Sequence, residues 1–287
     1  MKVSGFTFLR NATLLGYPYL ESIRSLLPIV DELVVNVGTG MDNTIEQVRS
    51  IQDPKVRVIE SNWNEGMVDR GYVYAQQKMI AQFNCTGDWA FYLEGDEVLH
   101  EDDLPIIRSS MERYLQDPRV EALVFDYYHF YGSPEYLAIS PGWYRHAPRI
   151  IRNTIRSYSP DGLFFVVMDY NKRGRYPNAA LAGAPIYHYG HVRSLASMRE
   201  KNQQVSKYWG HIPPKFDYYD IDSAALTKFT GNHPKIMTSW LDREAEDEFL
   251  PDPNHVLTRS ERRHRWKMVL EKTFGWELSK KHFRLVK

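Results

Sequence analysis

Glu94, Asp96 and Glu97 place three carboxylates within four positions, in the segment FYLEGDEVLHEDDL. They follow the apolar run WAFYL. Like charges about 4 Å apart repel by about 1 kcal/mol in water, and several times that near a protein interior. Such a knot is either bathed in bulk water or neutralised by a cation. Hard oxygen ligands suit Mg²⁺ or Mn²⁺, which bind through one or two carboxylates and the phosphates of a substrate. Gly95 removes a side chain, so a ligand can approach the backbone. The simpler reading is a strand end followed by an acidic helix start. It accounts for Glu101 to Asp103 but leaves Glu94 and Asp96 unexplained, because they precede the helix by several residues.

The elements that would position this knot alternate. Strands are expected at 2–9, 31–37, 55–61, 88–93 and 120–131. Helices are expected at 19–30, 44–51, 73–83 and 101–116, with Thr44 as an N-cap and Gln47 completing a capping box. The run DWAFYL is almost continuously apolar, as a strand buried on both faces requires. Strands alternating with helices predict an α/β layered sheet, in which ligands bind beyond the carboxyl ends of the strands. After Tyr131 the pattern is looser. APIYHYGHVRS reads as a short strand running into a loop, SLASMREKNQQVSKYWG as a helix, and HIPPKFDYYD as its break.

Composition sets outer bounds. The 287 residues fit one large domain, or one domain with an appendage. Formal net charge is zero, so the molecule as a whole is not built to seek nucleic acid. A single cysteine, Cys85, fits a reducing compartment. The first thirty residues show no signal-peptide pattern, and no apolar run of about 18 residues occurs. These features predict a cytoplasmic protein. From Arg259 to Lys287 basic residues outnumber acids. That tail reads as a helix with a solvated basic face, or as a peripheral contact with an anionic lipid surface.

Four motifs, in order, make the chain resemble the family 2 glycosyltransferases, which have the GT-A fold. FLRNA resembles the Asn-containing turn after the first strand, and VVNVGTGMDNT the Asp-rich turn after the second. FYLEGDEVL resembles the Asp-X-Asp motif ending the fourth strand, with Glu94 in place of the first Asp. IYHYGHVRS resembles the later His-Tyr of bacterial members that build surface polysaccharides. The match covers roughly residues 2 to 205. It implies a GT-A (Rossmann-like) mixed sheet flanked by helices over residues 1–195, with a mostly helical extension over 196–287.

The resemblance also implies an inverting, hexosyltransferase-like enzyme. It would move a sugar from a nucleotide-diphosphate donor to a glycan or lipid-linked acceptor, with Mn²⁺ or Mg²⁺. Asp96 would bind that cation, and His188 matches the histidine of similar members. Glu94 would hold the ribose or a metal-bound water. Glu97 would support the ligand or stand as an exposed acid. Arg10, Asn11, Asn36, Asp42 and Lys78 would reach the donor. Asp42 reads equally as an Asx-turn or N-cap residue, and Lys78 as a solvated helix charge. Arg193 and Lys201 would steady the diphosphate or stand as solvated charges. For the general base the sequence offers Asp161, in the turn PDG, with Glu135 as its rival. Three alternatives stay open at this point: a metal-dependent phosphohydrolase, a nucleotidyltransferase, and a non-catalytic nucleotide- or glycan-binding module.

Overall fold

The computed structural model describes residues 1–210, 215–244 and 249–286. The first four residues of the expected helix break, 211–214, and the last basic residue, Lys287, lie outside them.

In chain order the first half runs β1 (Val3–Leu9), α1 (Tyr19–Leu26), β2 (Glu32–Gly38), α2 (Thr44–Arg49), β3 (Val56–Ser61), α3 (Tyr72–Phe83), β4 (Trp89–Tyr92), β5 (Glu97–Val98) and α4 (Leu104–Leu115). The second half runs β6 (Ala122–Tyr131), β7 (Ser133–Ala138), β8 (His146–Arg152), β9 (Ser157–Tyr158), β10 (Val166–Met168), β11 (Gly174–Arg175) and β12 (Asn178–His191). It continues with α5 (Leu195–Ser206), β13 (Leu226–Lys228), α6 (Thr238–Glu244), α7 (Arg259–Phe274) and β14 (Arg284–Leu285).

Among the described residues one large mixed sheet follows the order β13-β7-β6-β8-β4-β1-β2-β3. β3, β2, β1 and β4 are mutually parallel. β8 runs antiparallel between β4 and β6. β12 lies parallel to β6 and also takes β5 and β14. β9, β10 and β11 form a small separate sheet. This is the Rossmann-like mixed sheet flanked by helices that the resemblance implied.

The parallel strands are apolar because both sheet faces are covered. On one face Ile23 and Leu26 of α1 and Ile107 and Met111 of α4 pack on Leu33, Val35 and Phe91. On the other, Ala81 of α3 joins Phe6, Val34, Tyr92 and Phe165. Gly5 lets α1 sit close: a Cβ there would lie 2.7 Å from Leu33 Cδ1 and 2.9 Å from Leu26 Cδ2.

Three local expectations differ. α1 stops at Leu26 and tightens into a 3₁₀ turn, Leu27–Ile29, because Pro28 cannot continue the helix. Thr44 is not the N-cap of α2; Asn43 holds that position with no side-chain capping bond. The Thr44 hydroxyl instead accepts from the Ala12 and Thr13 amides, at 2.8 and 3.2 Å, so a tertiary use has displaced the local one. β12 is far longer than a short strand and crosses a register shift between Leu181 and Pro185.

Candidate functional site

The acid knot is held by a cation of the chain itself. β8 pairs antiparallel with β4, Ile150 opposite Phe91. Arg149 therefore stands level with Tyr92, the last residue of β4. Its Nε donates to Glu97 Oε2 at 2.8 Å, and its Nη2 donates to Glu97 Oε1 at 2.5 Å and Glu94 Oε1 at 2.8 Å. The Tyr127 hydroxyl adds a third donor to Glu97, at 2.7 Å. Glu97 is fully buried, so it is neither an exposed acid nor open to a ligand. It anchors the loop, because its Oε2 also accepts from the Glu94 amide at 3.0 Å. Burial and the neighbouring Glu97 push the Glu94 carboxyl up to about 8.

Asp96 points elsewhere. Its carbonyl accepts from the Tyr189 amide at 2.8 Å, tying the loop to β12. Lys201 Nζ, from α5, donates to Asp96 Oδ2 at 3.1 Å and to the Gly190 carbonyl at 2.9 Å. Arg193 Nη2 lies 3.6 Å from Oδ2, and His188 Nε2 lies 3.6 Å from Oδ1. Burial opposes the Asp96 charge, but the Lys201 and Arg193 cations outweigh it and hold the carboxyl below its usual range. Burial and the Arg193 charge bring the Lys201 ammonium down to about 8. Arg193, buried, and Lys201, partly buried, are thus partners of Asp96, not solvated helix charges.

β12 runs between β5 and β6, so His188 stands level with Glu97 on one side and His129 on the other. His129 Nδ1 and His188 Nδ1 are 2.8 Å apart, and His129 Nε2 meets the Tyr144 carbonyl at 2.7 Å. A carbonyl only accepts, so His129 carries its proton on Nε2. Burial holds both rings neutral, His129 at about 3 and His188 at about 4. The remaining nitrogen of His129 must then accept, His188 must donate from Nδ1, and His188 Nε2 keeps its lone pair. Gly190 makes room for this edge: a Cβ there would lie 2.5 Å from His188 Nε2 and 3.2 Å from Asp96 Oδ2.

The donor set fits a divalent cation. Asp96 Oδ1 and the His188 Nε2 lone pair lie within the reach of two ligands each about 2.1 Å from one ion. Among the described residues no group of three or more His, Cys, Asp or Glu forms an all-protein cage. A two-ligand site completed by substrate phosphates is the arrangement Mg²⁺ and Mn²⁺ favour.

These groups edge a cavity of about 220 Å³ at the carboxyl ends of β1 and β4. Arg10, Asn11, Glu94, Asp96, Asp161 and His188 all line it. So do Phe8, Trp63, Tyr74, Tyr208 and Trp209, which make one wall aromatic, and Tyr17, whose ring lies against Arg193 and Lys201. Arg10 spans that wall, with Nη1 donating to the Tyr208 hydroxyl at 2.7 Å, Nε to the Thr39 carbonyl at 2.9 Å, and an ion pair to Glu65. Asn11 has a φ of 52°, and its Oδ1 accepts from the Met41 amide at 2.7 Å. Asp161 Oδ1 accepts from the Leu163 amide at 3.0 Å, and burial raises its carboxyl above the usual value.

The other candidates stand outside the lining. Asn36 is buried, with Nδ2 donating to the Gln77 carbonyl and side chain. Asp42 closes the turn before α2, accepting from the Leu14 and Thr44 amides. Glu135 lies exposed on β7. Lys78 is neither solvated nor in the lining. It is fully buried, with Nζ 3.8 Å from the Tyr92 ring centre, 4.1 Å from that of Phe165, and donating to the Gly162 carbonyl at 3.1 Å. The structure adds Arg149, Tyr127, His129 and Trp63. The sequence signal for His129 was a histidine inside an apolar strand; Arg149 left none, because its acids lie 52 and 55 positions away.

No family model and no curated protein matches this sequence. Similar solved structures include residues 1–349 of S. aureus TarS, at 16% identity and a TM-score of 0.36, over 53% of this chain and 47% of that one. A longer S. aureus TarS structure is similar at 14% identity and a TM-score of 0.40, over 71% of this chain and 39% of that one. Residues 1–349 of TarS in complex with UDP give 14% and 0.36, over 53% and 47%. The matches thus span less than half the length of those chains.

Proposed function

We propose that the cavity receives a nucleotide-diphosphate sugar and that the protein is an inverting glycosyltransferase acting on a glycan or lipid-linked hydroxyl. The observation that carries this reading is the convergence of Asp96, His188 and Lys201 at one edge of a strand-end cavity, with Arg193 buried behind Asp96. A carboxylate and an imidazole lone pair beside one buried and one partly buried cation suit a diphosphate and its counter-ion.

Asp96 and His188 would hold Mn²⁺ or Mg²⁺. Bound there, the cation supplies Lewis-acid relief of the charge on the departing diphosphate. Lys201, in the lining, would orient the same phosphates as a fixed donor, and Arg193 behind it would keep Asp96 ionised. The aromatic wall of Trp63, Tyr74 and Tyr208, with Arg10, offers the flat faces and the donor that a base and ribose need. Asp161 is the candidate general base. It lines the cavity, and its raised carboxyl sits closer to the working range of a base than an exposed aspartate. Residues 1–195 would be the donor-binding unit. The extension over 196–287 would complete it through Lys201 and Tyr208, and the acceptor would meet it at the cytoplasmic face of a membrane.

Calorimetry with UDP, GDP, CDP and dTDP, with and without Mn²⁺, tests the reading. One nucleotide is expected to bind the wild type in a metal-dependent way and to fail with Asp96→Ala. Binding of none removes the reading. The 3.1 Å pair between Lys201 and Asp96 favours one variant of it, a diphosphate balanced by the chain's own cations. In that case binding persists in EDTA and is lost in Lys201→Met.

A further inference from the structure

α7 has two unlike faces. One is strapped to the body by polar contacts. Glu261 Oε1 accepts from the Asp222 amide at 2.9 Å, Arg265 donates to both Asp222 oxygens at 2.8 Å, and Arg145 donates to Glu271 at 2.8 Å. The opposite face, at steps of three and four residues, carries Arg259, Arg262, Arg263, Trp266, Leu270 and Phe274. None of them is buried. Trp266 is 72% exposed, Phe274 56%, and Val269, beside them, 55%. Trp276 follows the helix, 57% exposed and stacked on Phe274 at 4.8 Å.

A merely solvated face would be polar throughout. Here large rings and arginines interleave, while the acids of the helix, Glu261 and Glu271, both pair inward. Tryptophan and arginine share one preferred medium, the boundary between lipid headgroups and acyl chains, where rings find apolar contact and guanidinium groups find phosphate. A two-fold contact between copies of this face would bring no carboxylate to its arginines, because both acids of the helix pair inward.

We infer that the outward face of α7 docks the protein on an anionic lipid bilayer, with Trp266 and Phe274 entering the headgroup layer and Arg259, Arg262 and Arg263 pairing with lipid phosphates. The inference stands apart from the donor-site reading, and its test reads lipid binding and not transfer, so either can fail without the other.

The experiment is co-sedimentation of the full chain with vesicles of phosphatidylcholine, alone or mixed with phosphatidylglycerol. Binding is expected to the anionic vesicles, weakening as salt rises. Arg262→Gln with Arg263→Gln, and separately Trp266→Ser with Phe274→Ser, should each lower partitioning by about tenfold or more. Because these side chains are exposed, both variants should unfold at the wild-type midpoint. Absence of vesicle binding overturns the inference, as does binding that neither variant weakens. Self-association in sedimentation velocity, abolished by the same substitutions, would assign the face to a second copy instead.

Discussion

His129 Nδ1 lies 2.8 Å from His188 Nδ1, and the far edge of His129 is closed by the Tyr144 carbonyl. This relay orients the His188 ring and leaves Nε2 as the nitrogen facing Asp96. His129→Leu removes the acceptor, whereas His129→Asn keeps an amide oxygen near the Nδ1 position. Losing such an orienting partner typically costs 10–100-fold in metal affinity. Mn²⁺ affinity in the presence of the bound nucleotide is expected to fall by about that range in His129→Leu and by much less in His129→Asn. Two-dimensional ¹⁵N–¹H spectra of the imidazoles should show His188 protonated on Nδ1 in the wild type. A proton on Nε2 would overturn the relay.

Gly190→Ala places a methyl group between His188 and Asp96, 2.5 Å from one and 3.2 Å from the other. The substitution should abolish metal-dependent nucleotide binding while leaving most of the fold's stability, since the clash falls on side-chain ends. Unchanged binding in calorimetry would mean that the two groups do not act together.

Arg149 neutralises the buried Glu97 carboxylate and also donates to the partly exposed Glu94 carboxyl, and removing one partner of a buried pair strands the other. Arg149→Met should cost about 3–5 kcal/mol in denaturant unfolding. Adding Glu97→Gln should recover a large part of that loss, because it removes the stranded charge. A loss below about 1 kcal/mol for Arg149→Met would place the pair among weak surface contacts.

Glu261 sets an acid limit on the anchoring of α7. Burial opposes its charge, but donors from Thr258, His255 and the Asp222 amide outweigh burial and hold the carboxyl at about 2. A depressed carboxylate adds stability above its unfolded value, near 4.3, and loses it as pH falls toward the folded value. The wild type should therefore lose more stability than Glu261→Gln between about pH 4.5 and pH 2. Parallel urea curves for the two proteins across that window would contradict it.

Much of the fold was legible in the sequence. Periods of two and 3.6 residues report local backbone, so the alternation of β1 to β4 with α1 to α4 could be read along the chain. So could the placing of Glu94 to Glu97 at a strand end, where a ligand site belongs. Local pattern and structure part where a side chain's use is tertiary. Thr44 has the composition of a cap but serves the Ala12 turn, and Lys78 has the spacing of a helix surface but faces Tyr92 and Phe165.

What the sequence determined alone was the order and type of the elements up to Tyr131 and the crowding of acids at the end of one of its strands. What only the tertiary structure decided was which cation answers each acid. Arg149 reaches Glu97 across 52 positions, His129 meets His188 across 59, and Lys201 meets Asp96 across 105. Those separations are set by strand order and register, with β8 inserted between β4 and β6 and β12 between β5 and β6. No local pattern records a neighbour that arrives from another strand, so the charge balance of the site became visible only once the sheet was assembled.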